Sequence, residues 1–175
     1  MSISDEIKKV IREVPDFPTP GVNFKDITPI FENPDLCKKI VQAFISQLPE
    51  KPDAVIGIES RGFLFGFVLA YELQVPFILA RKAGKLPYKT VKAEYNLEYG
   101  SAAIEINENS ISKGQKILIH DDLLATGGTA SAAAHLVKLH DADVLAFTFL
   151  IELSFLKGKE KLKNYTNNII CLTQY

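Results

Sequence analysis

Apolar residues recur at spacings of three and four over Ile3, Ile7, Val10, Ile11 and Val14, with Ser4 as a cap and Pro15 as a stop. This pattern predicts a short amphipathic helix, a lid or packing arm. From Pro15 to Pro34 the chain is rich in Pro, Asp and Thr, and it cannot propagate a regular helix. Its apolar anchors Val22, Phe24, Ile27, Ile30 and Phe31 instead predict a structured loop laid over the body. A helix is expected over Asp35 to Leu48, a buried strand over Ala54 to Ile58, a Glu59-Ser60-Arg61-Gly62 turn and an apolar helix over Phe63 to Leu73. Val75 to Ala80 reads as a strand. The stretch from Arg81 to Gly100 is polar and long for a connection, and long loops in compact domains usually serve function. Beyond it, Ala102 to Ile106 reads as an edge ribbon and Ser112 to Gln115 as a turn. Lys116 to His120 reads as a strand running into Asp121-Asp122, Ala130 to Leu139 as a helix, and Val144 to Leu150 and Asn168 to Leu172 as strands. Strands that alternate with helices and are apolar on both faces imply a mostly parallel α/β sheet covered on both sides.

Length and composition narrow the class. The 175 residues suit one domain, and 47% hydrophobic with 23% charged residues is ordinary for a globular chain. Twenty basic against twenty-one acidic residues leave no field for non-specific attraction to nucleic acid or acidic membranes, so neither is expected as a partner. Cys37 and Cys171 lie far apart with no metal-ligand spacing, which favours free thiols and a reducing compartment. The charged N-terminus excludes a secretory core, and the longest apolar run, Phe63 to Tyr71, is too short to span a bilayer. A cytoplasmic location is expected.

The chemistry concentrates in Ile117 to Thr129, where a buried strand ends in two carboxylates, a small-residue turn follows and a helix begins. Gly127 and Gly128 allow close backbone approach to a ligand, and the free N–H groups of a helix's first turn form an anion cup. Thr126 and Thr129 add hydroxyl donors, and Asp121 and Asp122 stand where the hydroxyls of a sugar would lie. Together they describe a ribose 5-phosphate site. A lone double-glycine turn is more often a tight connection with a threonine cap, but adjacent like charges at a strand end call for a compensating ligand, cation or water. Neither a P-loop nor a dinucleotide fingerprint occurs.

The segment resembles the phosphoribosyl-diphosphate signature of type I phosphoribosyltransferases, in the DDLLATGGT form carried by the adenine-specific members. The likeness extends through Asp16 to Gly21, Phe24 to Pro29, Ser60 to Gly66, Arg81-Lys82 with Gly84 to Pro87, and Leu97 to Gly100. It implies one domain over residues 1–175, with a base-binding hood over 1–34 and a flexible catalytic loop over 83–101. It also implies that adenine and 5-phosphoribosyl 1-diphosphate give AMP and pyrophosphate with magnesium, in a homodimer, as a step of purine salvage.

By the same resemblance, Ala125, Thr126, Gly127, Gly128 and Thr129 hold the 5′-phosphate, and Asp121 and Asp122 the ribose hydroxyls. Glu59, Ser60 and Arg61 form the pyrophosphate loop, where a cis peptide is typical, and Arg81, Lys82 and Lys85 contact the diphosphate. Glu98 is the catalytic residue, relaying the purine's proton, and Tyr99 helps close the loop. Phe24 and Leu123 sandwich adenine, whose edge is read by backbone groups over Val22, Asn23, Phe24 and Lys25. Magnesium is expected on diphosphate and ribose oxygens, with few or no direct protein ligands. Two departures stand out. Asn23 occupies a commonly aliphatic position, where its amide would adjust preference among 6-aminopurines. His120 replaces an aliphatic strand residue and reads as a satisfied structural histidine pointing away from Asp121. The competing readings are a 6-oxopurine enzyme, which the Phe24 segment argues against, a diphosphate-sensing regulator, which would carry an added basic module, and a nucleotidase or kinase, which lacks its motif.

Overall fold

A computed structural model of the chain describes residues 2–96 and 101–175. Helix α1 (Ile3–Val10) is capped by Ser2 rather than Ser4: the Ser2 hydroxyl accepts the Asp5 N–H at 3.2 Å, and the Asp5 carboxylate accepts the Ser2 N–H at 3.1 Å. Ser4 instead meets the Thr173 hydroxyl at 2.9 Å. The helix stops four residues before Val14. Strand β1 (Arg12–Val14) pairs antiparallel with β2 (Phe24–Asp26), so backbone pairing across the hood overrides the helical spacing of Val14. Between them, the Asp16 carboxylate accepts the Gly21 N–H at 2.7 Å and Phe17–Pro18 is cis. A 3-10 turn (Thr28–Glu32) leads into α2 (Pro34–Ile45), which begins with an Asn33 cap on the Leu36 N–H and buries Leu36, Ile40, Val41 and Phe44 along one stripe.

The central sheet follows: β3 (Ala54–Ile58), α3 (Gly62–Leu73), β4 (Phe77–Lys82), β5 (Thr90–Asn96), β6 (Ser101–Asn107), β7 (Lys116–Leu124), α4 (Gly128–Leu139), β8 (Asp143–Glu152), a short α5 (Gly158–Leu162) and β9 (Ile169–Gln174). The spatial order is β5-β6-β4-β3-β7-β8-β9, with β4-β3-β7-β8-β9 parallel and β5-β6 an antiparallel edge. Thus the expected mostly parallel sheet is present. The expected long loop is shorter than its sequence implied, because Thr90 to Asn96 pairs residue for residue with β6.

Alternation along the strands divides the interior in two. Ala54, Ile56, Ile58, Ile117, Ile119, Phe147 and Phe149 pack with α4, while Val55, Leu118, Ala146 and Leu150 pack with α1, α2 and α3. The crossovers leave β3 and β7 in opposite directions along the sheet, through α3 to β4 and through α4 to β8. A strand-order reversal of this kind opens a crevice beyond the carboxyl ends of the two strands.

Candidate active site

The crevice exists because β7 outlasts its neighbour. Pairing with β3 ends at Gly57 opposite His120, whereas pairing with β8 continues to Leu124. The two carboxylates therefore lie within the strand, not after it, on an edge that has lost one partner. There the Asp121 carboxylate accepts the Asp122 N–H at 2.8 Å, and Asp122 pairs with the Arg61 Nε at 2.9 Å. Desolvation first, and the adjacent Asp122 second, raise the Asp121 pKa well above the usual carboxylate value. Glu59, Ser60, Arg61, Lys82, Asp121, Asp122 and Leu123 together line a cavity of about 340 Å³.

A smaller hollow adjoins it, sharing Asp121 and Leu123 and walled by Ala125, Thr126, Gly127, Gly128 and Thr129. Gly127 (φ 76°) is the N-cap of α4, and no side chain caps this helix. The threonines are therefore not the conventional caps of the alternative reading, and the first-turn N–H groups face a hollow suited to an anion. The loop is braced from behind by α5. A Cβ at Gly127 would lie 2.8 Å from the Gly158 carbonyl oxygen, and one at Gly158 would collide with the Ala125 carbonyl oxygen.

On the other side of the cavity, the Glu59–Ser60 peptide is cis. Glu59 does not present a free anion: its carboxylate takes Arg81 in a two-pronged pair (Nε at 3.2 Å, Nη2 at 3.1 Å) and accepts the Lys82 N–H at 2.9 Å. The Arg81 guanidinium holds Glu59 below the usual carboxylate range. Lys82 and Lys85 are exposed. Glu98 and Tyr99 lie outside the described residues.

The hood meets the site through Arg61, whose guanidinium sits 5.0 Å from the centre of the Phe24 ring, while Phe17 packs edge-on at 5.2 Å. Phe24 is half-buried against Arg61, the residue that pairs with Asp122, and belongs to neither core cluster. Asn23 is tied within the N-terminal segment: its amide donates to Glu13 at 2.8 Å, and Glu13 also binds Lys25 at 2.7 Å. Lys25 in turn lies over the Tyr175 ring at 4.1 Å. The backbone of Val22 is engaged within the hood, where its N–H donates to Thr19 and its carbonyl accepts from Phe17. His120 is fully buried against Phe44, with Nδ1 3.0 Å from the Thr148 hydroxyl, but Nε2 has no hydrogen-bond partner among the described residues, so it is only half satisfied. Sequence reasoning missed Glu105 and Gly158. Glu105 sits between two isoleucines in a strand whose pairing was not legible, and Gly158 carries no signal beyond being a glycine.

Residues 26–173 match the family described as phosphoribosyl transferase domain. The adenine phosphoribosyltransferase of Cytophaga hutchinsonii is 51% identical over 99% of this chain and 96% of its own length. Among solved structures, the adenine phosphoribosyltransferase of Thermoanaerobacter pseudethanolicus superposes with a TM-score of 0.93 at 45% identity, covering 98% of this chain and 99% of that one. The Saccharomyces cerevisiae enzyme, solved with D-2,5-dideoxy-2,5-imino-altritol 1,6-bisphosphate and adenine, gives 0.91 at 44% identity, covering 97% and 98%. With this similarity running through hood, acidic strand and uncapped loop alike, the chain belongs to the adenine phosphoribosyltransferases of the phosphoribosyltransferase family.

Proposed function

We propose that this chain transfers the 5-phosphoribosyl group of 5-phosphoribosyl 1-diphosphate to adenine, giving AMP and pyrophosphate. The observation that carries this reading is the uncapped N-terminus of α4 beside the acidic pair on the open edge of β7. The hollow from Ala125 to Thr129 takes the 5′-phosphate, and Asp121 and Asp122 accept hydrogen bonds from the ribose hydroxyls. The sugar is thereby fixed at both ends, which converts the encounter of two substrates into a positioned displacement.

At the anomeric carbon, the bond to the diphosphate oxygen breaks and its electron pair leaves with the diphosphate. Lys82 and Lys85, with Arg81 steadying the turn that carries them, neutralise that departing charge. A ring nitrogen of adenine forms the new bond and its proton passes to Glu98, while Tyr99 closes the loop against water. Phe24 and Leu123 hold the base between them, and adenine takes over the face of Phe24 on which Arg61 now rests. Magnesium, when bound with the substrate, would have the carboxylate oxygens of Asp121 and Asp122 beside it and would withdraw charge from the leaving group.

Helix α3 supports a homodimer. It begins immediately after Arg61, and it exposes Leu64, Phe67, Val68 and Tyr71 next to an apolar groove of about 400 Å³ shared with α2. A second copy of the chain covers that face and stiffens the diphosphate loop. Cys37 and Cys171 are both free, which favours the cytoplasm.

The test is AMP formation from 5-phosphoribosyl 1-diphosphate and magnesium with adenine, hypoxanthine, guanine and xanthine in parallel. Turnover with adenine alone is expected, and preference for a 6-oxopurine would overturn the base assignment. Glu98→Leu is expected to lower turnover by about 10²-fold or more with folding intact. An unchanged rate would remove Glu98 from the chemistry.

A further inference from the structure

Glu105 lies on β6 opposite Arg81, and it is 1% exposed. A carboxylate with so little water needs donors, and it has four. One oxygen accepts the N–H groups of Gly84 (2.9 Å), Lys85 (3.0 Å) and Leu86 (3.0 Å), and the other accepts the Thr90 hydroxyl at 3.0 Å, with the Lys92 ammonium 3.6 Å away. Burial pushes its pKa up, but these donors and Lys92 outweigh that, so the group sits below the usual glutamate value and remains an anion.

The three N–H groups belong to the turn that carries Lys82 and Lys85. Its first end is held by Glu59 through Arg81 and the Lys82 N–H, and Arg81 reaches across to the Lys85 carbonyl at 3.0 Å. Three successive amides converging on one point make the kind of nest that binds a free anion in other proteins. Here the protein's own carboxylate fills it, so the turn has one shape before any ligand arrives. Lys82 lines the cavity and Lys85 stands exposed on the same turn, while the three N–H groups point inward to Glu105.

We infer that Glu105 is the positioning residue of the diphosphate subsite, fixing the Gly84–Leu86 turn so that Lys82 and Lys85 meet the diphosphate without reorganisation. The inference rests on the proposed diphosphate role of these lysines. It predicts a selective defect: without Glu105 the pyrophosphate end weakens while the 5′-phosphate end, built on a different loop, does not.

The experiment titrates magnesium pyrophosphate and, separately, ribose 5-phosphate into the folded wild-type protein and into Glu105→Ala, Glu105→Asp, Glu105→Gln, Lys82→Ala and Lys85→Ala, with kcat and KM alongside. Glu105→Asp withdraws the carboxylate by one methylene yet keeps its charge, and it serves if the alanine variant does not fold. Glu105→Ala or Glu105→Asp is expected to weaken pyrophosphate binding and raise the KM for 5-phosphoribosyl 1-diphosphate at least fivefold, with ribose 5-phosphate affinity within twofold of wild type. Glu105→Gln, whose amide oxygen can still accept the three N–H groups, is expected to recover most of the loss. If the lysine variants weaken pyrophosphate and folded Glu105 variants do not, or if Glu105 variants weaken both ligands equally, the inference falls and the site assignment stands. If neither lysine variant changes pyrophosphate affinity, the diphosphate assignment itself falls.

Discussion

At Asp121, folding and the proposed contact with ribose make opposite demands. Desolvation and the neighbouring Asp122 favour the protonated carboxyl, whereas a hydroxyl acceptor works best as an anion. Because its pKa is raised in the folded chain, the stability it contributes is full below the usual carboxylate value and is lost as pH rises through the raised one. Asp121→Asn keeps an oxygen for the Asp122 N–H and removes the titration, so it is expected to raise stability at neutral pH while weakening 5-phosphoribosyl 1-diphosphate. Denaturant melts and ligand titrations on the same variant check both signs. His120 behaves in the reverse sense. Burial lowers its pKa from 6.5 to about 3, so the unfolded chain takes up a proton that the folded chain refuses. Its contribution is present above pH 6.5 and is lost as pH falls toward 3, at up to about 1.4 kcal/mol per pH unit. Urea unfolding at several pH values is expected to show a steeper acid loss in wild type than in His120→Val.

Among the elements, the loop proposed to hold the 5′-phosphate is braced by a five-residue helix that has no part in the proposed contacts with substrate. Gly158 opens α5 against the Ala125 carbonyl, and a methyl group there forces the two segments apart. Gly158→Ala is expected to cost about 1–3 kcal/mol, the usual range for overpacking, and to weaken ribose 5-phosphate more than pyrophosphate, which thermal melts with each ligand would read. The strand, loop and helix that form this site were legible from sequence because Ile117 to Ile119 is a continuous apolar run and glycines mark the turn. What α5 does was not, since its contact with the loop joins residues some thirty positions apart. The hood shows the same limit: Val14 satisfies a helical spacing, and only its pairing with Phe24 places it in a strand. Likewise Thr90 to Asn96 looks like polar loop until β6 lies beside it, and Asn23 looks free for a ligand until Glu13 faces it.

For the whole molecule, the outward face of α3 carries the proposed dimer. Four large apolar side chains stand exposed on a helix that is apolar nearly all round, so one copy leaves part of the helix unburied. Sedimentation of the wild-type chain is expected to give a dimer, and Phe67→Glu combined with Tyr71→Glu to give a monomer with raised KM for 5-phosphoribosyl 1-diphosphate. A monomeric wild type would withdraw the interface.

The early end of the β3–β7 pairing has a cost unrelated to catalysis. An unpaired strand edge is a template on which a foreign strand can add, and here it lies in the middle of the sheet. The Asp122 N–H is already taken by the Asp121 carboxylate, and two acidic side chains with Arg61 stand along the same edge. Charge and an already satisfied N–H are features that disfavour the addition of a foreign strand along this edge.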